Sequence, residues 1–285
     1  MSTKTAPFRI PLPLIAFGFL YVAAEAVKFM RGDALWGTID LVLGATLAIM
    51  CALTWRFTRD ATVHPPPQKG RALPLQLLVC GFVIIATALD GILPAWGVAR
   101  RAIYGVAALH MPPDIANGVT NFTLYCVPLA LVLLALGVPL AQQGLRFRRG
   151  SAASAVVWLV LPVGVFVYAI LSGKLAVPFV LAVWLSNLLQ NGVSEEFLWR
   201  GLVFGRLSAV MKTEHALFIQ AVLFGAWHAS ADMHAYHGDV INAVGDMIAS
   251  QAMFGLALGY LRIRTGNIAI GAAFHLLFDS LQMFQ

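Results

Sequence analysis

The chain is 285 residues long, 60% of them hydrophobic and only 11% charged, which excludes an ordinary soluble domain, where about a quarter of residues carry charge. Its net charge of +6 does not call for a nucleic-acid partner: lysines and arginines gather in short polar segments between apolar runs, as topology determinants do. Cys51, Cys80 and Cys126 lie inside apolar runs, odd in number and without CxxC spacing, so they imply no disulfide framework and read as small core or lipid-facing residues.

Apolar runs fall near 10–28, 35–55, 74–97, 119–142, 153–173, 176–210, 215–230, 240–261 and 267–284. A span needs roughly 20 residues, so the pattern predicts an all-α, polytopic transmembrane bundle of eight or nine spans. Lys4 and Arg9 ahead of the first run imitate a secretory signal, but the run's length and Glu25 near its end make it a first span. The His-Pro-Pro-Pro segment at 64–67 and the RFRRG stretch before Ser151 are the linker-like sites. They set N-terminal helices, 1–150, apart from a C-terminal helical core, 151–285. With a cytoplasmic N-terminus and nine alternating runs, 13 of the 19 basic residues face the cytoplasm and 5 the opposite side, the bias that favours this orientation.

The sixth run is too long for one straight span, since its 35 residues at a rise of about 1.5 Å each would reach about 52 Å. A break is expected at Asn191-Gly192, because Gly beside a short polar residue ends helices. Glu195 and Glu196 would then lie in the first turn of a new helix, where the dipole favours carboxylates.

Charge in such a run is costly. An ionised side chain at membrane depth costs at least ~2.5–3.5 kcal/mol and is usually paired or functional. Glu196 and Arg200 are four apart and pair on one helix face, whereas Glu195 points about 100° away and is left free to act. The seventh run places His228 one turn after Phe224, and the last places Asp279 one turn after His275. Such a carboxylate can fix the tautomer of His275, or both side chains can project into one site. Buried polar groups need partners, and the cheapest arrangement is for these to find one another. Glu195, His228, His275 and Asp279 then form a constellation able to activate a water. The carboxylate takes its proton, and the imidazoles orient it or polarise a carbonyl. No GxSG serine motif with a partnering histidine, GxGD or HExxH occurs in the chain.

These residues resemble the motifs of the CPBP (CAAX protease and bacteriocin-processing, or Abi) family of intramembrane endopeptidases, which includes the prenyl-protein endopeptidases. EExxxR is matched by Glu195, Glu196 and Arg200, with Gly201 following. FxxxH is matched by Phe224 and His228, and HxxxN or HxxxD by His275 and Asp279, after a family-like turn at 264–267. The resemblance covers roughly 175–285 and leaves the first five runs outside it. It implies peptide-bond hydrolysis in or beside the membrane, in a catalytic cavity between the C-terminal helices. Glu195 would be the general base, Glu196 with Arg200 a supporting pair, and His228 and His275 would position the water or the scissile carbonyl. Asp279 stands where many members have Asn. An Asn amide can donate to an oxyanion and an ionised Asp cannot, which leaves Asp279 as histidine orienter, metal ligand or protonated donor. The family has been described both as metalloproteases and as metal-independent glutamate proteases. Two histidines with carboxylates would suit Zn²⁺, but no ligand spacing compels it. No cofactor is therefore expected, with zinc the alternative.

The implied partner is a membrane protein or peptide as substrate, in a lipid bilayer. Two other readings use the same residues: a non-proteolytic immunity or scaffold protein with this bundle, and a proton-coupled carrier. Compact loops and an Arg- and Ala-rich make-up point to a bacterial inner membrane, where a prenylated substrate is not expected. Among the remaining polar residues, Gly201 and Gly205 form a GxxxG packing motif. The ADMHAYHGD stretch from Ala231 reads as a solvated loop, with an accessory metal site the alternative. Asn242, Asp246 and Ser250 make a polar stripe for helix contacts or the catalytic cavity. Asp40 and Asp90 are expected to partner interior polar groups, and Trp199 to wall the cavity or anchor an interface.

Overall fold

The computed structural model describes residues 11–59, 72–89, 94–146 and 150–281. In chain order its helices are α1 (Leu12–Met30), α2 (Ala34–Thr58), α3 (Leu73–Ala88), α4 (Pro94–Ala108), α5 (Pro113–Ala135), α6 (Ser151–Leu171), α7 (Val177–Val210), α8 (Thr213–Trp227), α9 (Ala229–Ala235), α10 (Val240–Thr265) and α11 (Ala269–Ser280). Among the described residues there is no strand, only an antiparallel bridge between Leu145 and Asn267. Lys4, Arg9, Asp90, the 64–67 linker and residues 147–149 of the RFRRG stretch lie outside the described residues.

Among the described residues six helices, α1, α2, α5, α6, α7 and α10, are long and apolar enough to cross a membrane, against the eight or nine spans expected. The difference lies in runs whose helices stop short. Those of α3, α8 and α11 hold 16, 15 and 12 residues, which rise about 24, 22 and 18 Å against a hydrocarbon core of about 30 Å. The 215–230 run, for example, leaves α8 at Trp227 and turns at His228. The outer faces carry exposed Phe19, Ile49, Leu78, Val160 and Leu171, side chains whose natural solvent is lipid. This is an integral membrane protein.

The expected break at Asn191-Gly192 is absent. The run 177–210 is one helix, widened by π-helical turns at Leu188–Gly192 and Phe197–Val203. Gly192 keeps right-handed helical geometry, with φ −53°. Its lack of a side chain serves packing: a Cβ there would sit 2.7 Å from the Ala272 carbonyl oxygen of α11. Asn191 beside it donates from Nδ2 to Asp279 of α11, and Asn187, a turn earlier, donates to Ser280 Oγ at 2.9 Å. The polar residues that looked like a helix end are therefore the α7–α11 interface. Glu195 and Glu196 stand in mid-helix, where the N-terminal dipole does not reach them.

The core gathers buried Trp158, Trp199, Phe224, Leu258 and Phe274. Trp158 packs edge-on to Phe274 at 5.0 Å and donates its Nε1–H to Thr54 Oγ1 at 2.8 Å, joining α6 to both α11 and α2. Trp199 packs edge-on to Phe224 and Trp227, an aromatic wall behind the histidines. Gly201 and Gly205 pack as expected, though against the turn Leu140–Gln143 rather than a helix: a Cβ on Gly201 would lie 2.5 Å from the Gln143 oxygen. Asp40 does partner an interior cation, the fully buried Lys28. Asp246 also pairs with Lys28, at 2.8 Å, and Asn242 accepts from Arg31 at 3.1 Å. These two stripe residues thus serve contacts with α1. The ADMHAYHGD stretch is largely α9 and the turn after it. Its His234 and His237 are exposed, but Asp232 is buried.

Candidate active site

Three helices bring the motif residues together. α7 contributes Glu195, Glu196 and Arg200, His228 stands where α8 ends, and α11 contributes His275 and Asp279. Arg200 is fully buried, with Nη1 2.8 Å from Glu196 Oε1. Its N–H groups are not aligned on the carboxylate well enough for a hydrogen bond, so the pairing is ionic. The guanidinium also lies over the Phe224 ring, 4.1 Å from its centroid, where the ring face attracts a cation.

Phe224 explains the spacing of the second motif. Its ring carries Arg200 on one side and meets the His228 ring at 4.6 Å. Its carbonyl oxygen lies 2.9 Å from His228 Nδ1. A carbonyl has no proton to give, so Nδ1 carries the hydrogen, and in the neutral ring Nε2 is left as an acceptor. That Nε2 faces Glu195 Oε2 at 3.7 Å.

His275 sits between carboxylates. Nδ1 is 3.2 Å from Glu196 Oε1, and Nε2 is 3.9 Å from Glu195 Oε2 and 3.5 Å from Asp279 Oδ2. Glu196 is therefore more than Arg200's counter-ion, because it also orients this imidazole. Room for it comes from Gly271, where a Cβ would lie 2.9 Å from Glu196 Oε2. Glu195 differs from its neighbour: its Oε2 is buried and has no hydrogen-bond partner among the described residues. Both histidine distances to it exceed a direct hydrogen bond. They are of the length that one bridging water spans.

Asp279 accepts a hydrogen bond from Asn191 Nδ2. Asn191, one helical turn before Glu195, thus adjoins the candidate site, where its sequence beside Gly192 suggests only a helix end. Among the described residues, no group of three or more His, Cys, Asp or Glu side chains is arranged to hold a metal ion.

Residues 176–281 match the family model Rce1-like, described as type II CAAX prenyl endopeptidase Rce1-like. Comparison with curated proteins and with solved structures gives no match. The matched segment runs from α7 to α11 and contains all seven motif residues, Phe224 included, and the family is in general one of peptidases. Over that segment, a little over a third of its length, the chain is similar to the Rce1-like family, the resemblance its three motifs lead one to expect.

Proposed function

We propose that the chain is an intramembrane endopeptidase that hydrolyses a peptide bond in a membrane-associated protein or peptide. The observation that carries this reading is the buried, unpartnered Glu195 Oε2 facing Nε2 of both His228 and His275 at 3.7 and 3.9 Å. A water in that gap donates one proton toward Glu195 and the other toward the acceptor Nε2 of His228. Its oxygen attacks the scissile carbonyl carbon as Glu195 takes the first proton. His275 faces carboxylates at both ring nitrogens, an environment that satisfies the imidazolium on both sides. In that form it stabilises the oxyanion of the tetrahedral intermediate. The C–N bond then breaks, and Glu195 returns its proton to the leaving amine. No metal enters this scheme. The more exposed edge of the cluster is that of His228 and Asp279, with side chains 17% exposed against 9% or less for Glu195, Glu196, Arg200 and His275. The peptide enters the catalytic cavity from there. α6–α11 form the catalytic core and α1–α5 its support, in a bacterial inner membrane with the N-terminus cytoplasmic.

The test compares membrane peptides by mass spectrometry from cells carrying the native chain, Glu195→Gln or Glu196→Gln. A peptide terminus present with the native chain and lost with Glu195→Gln, at wild-type protein levels, is the expected result. A loss of general-base catalysis is worth ~10²–10⁴-fold. A phenotype indifferent to Glu195→Gln would make the chain a scaffold or immunity protein. Lost ion or solute flux with no peptide product would make it a carrier.

A further inference from the structure

His228 and His275 are held in different ways. His275 lies inside α11, with helix on both sides. His228 lies at the junction of α8 and α9, with φ −82° and ψ 0°; its ring is bonded to the Phe224 carbonyl of α8, and its backbone passes directly into the segment that follows. The Asp232 amide bonds the His228 carbonyl at 3.0 Å, the Tyr236 amide bonds the Asp232 carbonyl at 2.9 Å, and the Asp239 amide bonds the Tyr236 carbonyl at 2.9 Å. The segment 229–239 is therefore one strap running from His228 to α10.

The last turn of α1 fastens that strap and the start of α10. Arg31 Nη2 reaches Asp239 Oδ2 at 2.6 Å, and Arg31 Nε reaches Asn242 Oδ1 at 3.1 Å. Lys28 Nζ bonds Asp246 Oδ1 at 2.8 Å and also bonds Asp40 of α2. Tyr236 of the strap donates to the same Asp246 Oδ1 at 3.4 Å. The ties of Lys28 to Asp246 and of Arg31 to Asn242 and Asp239 cross more than 200 residues of sequence and start outside the family match. Lys28 is fully buried, so its pairings are costly to leave half-made.

We propose that Lys28 and Arg31 are positioning residues for His228, holding the strap so that Nε2 faces Glu195. This rests on the peptidase reading for its catalytic consequence but not for its structural one. The experiment therefore has two arms, both on the full chain in lipid nanodiscs. One measures amide hydrogen exchange over 229–239 and over 195–205 in the native chain, in Lys28→Met with Asp40→Asn and Asp246→Asn, and in the milder Arg31→Ala. Neutralising all three members of the Lys28 cluster avoids an unpaired buried charge. Exchange over 229–239 is expected to rise about tenfold with 195–205 unchanged, as local opening does. The other arm measures kcat and KM on the cleaved peptide. Here kcat is expected to fall about tenfold with KM within about twofold, as when an interaction made only in the transition state is lost. Unchanged exchange over 229–239 in both variants overturns the proposal, as does a rise spread equally over 195–205. Faster exchange with normal kcat also overturns it, because the strap would then be fastened without serving His228. If the native chain cleaves nothing, the peptidase reading fails and the exchange arm alone decides whether α1 holds the strap.

Discussion

Arg200 pairs with Glu196, stacks on Phe224 and has no exposed surface. Removing it leaves the Glu196 carboxylate buried with His275 as its remaining partner. Arg200→Leu is expected to destabilise the fold by ~3–5 kcal/mol, the cost of an uncompensated buried charge. Denaturant titration in detergent measures the loss, and adding Glu196→Gln should recover most of it. Gly271→Ala tests the same carboxylate by a steric route. The new methyl arrives 2.9 Å from Glu196 Oε2 and displaces it from the His275 side, at an overpacking cost of ~1–3 kcal/mol. Activity should fall further than stability, since His275 loses its orientation. A variant with native kcat would show that Glu196 does not orient the imidazole. Asn191 bears on the third motif. Its amide fixes Asp279, and Asn191→Ala frees that carboxylate to turn toward His275 Nε2. A lower kcat restored by Asp279→Asn would assign Asp279 to orienting the ring, and no change in kcat would dismiss the contact as structural.

At the scale of helices, the side chains that converge were readable because helical periodicity puts residues four apart on one face. Glu196 with Arg200, Phe224 with His228 and His275 with Asp279 all keep in the structure the face-sharing their spacing implied. The π-helical turns of α7 were not readable, since the same apolar residues fill either helix and Gly192 serves termination and close packing equally well in a sequence. What decides between them is the Ala272 carbonyl of α11, 80 residues away in the chain. The ties of Lys28 and Arg31 were hidden for the same reason: a lone cation at the end of an apolar run does not name its partner. Gly192→Ala follows from this, because it inserts a methyl between α7 and α11, 2.7 Å from the Ala272 carbonyl oxygen. It should cost ~1–3 kcal/mol and shift Glu195 relative to His275. A simple helix terminator replaced by alanine would instead be neutral or stabilising.

In the whole molecule, the helices of the matched segment are braced by helices that the family match does not cover, and the brace has a pH dependence of its own. The strap 229–239 carries two carboxylates outside the long spans. The Arg31 hydrogen bond to Asp239 holds that carboxyl below its ordinary value of 3.8. Its tie is therefore complete above that value and is lost only as pH falls through the lower folded one. Asp232 goes the other way. Burial, and next the charge of Asp246, push its carboxyl up to about 7, against the opposing pull of Lys28. Between its ordinary value of 3.8 and about 7 the folded chain keeps a proton on Asp232 that the unfolded chain has lost. Stability must then fall as pH rises through that window. The strap is expected to be held most firmly near the acid end of the window and to loosen toward neutrality. Amide exchange over 229–239, corrected for the intrinsic chemical rate at each pH, should show this loosening, and Asp232→Asn should abolish it while leaving the acid-side loss governed by Asp239. A profile in which Asp232→Asn changes nothing would mean that the buried carboxyl is not what relaxes the strap. A loosening toward neutrality that vanishes in Arg31→Ala but survives in Asp232→Asn would hand the effect to the α1 tie.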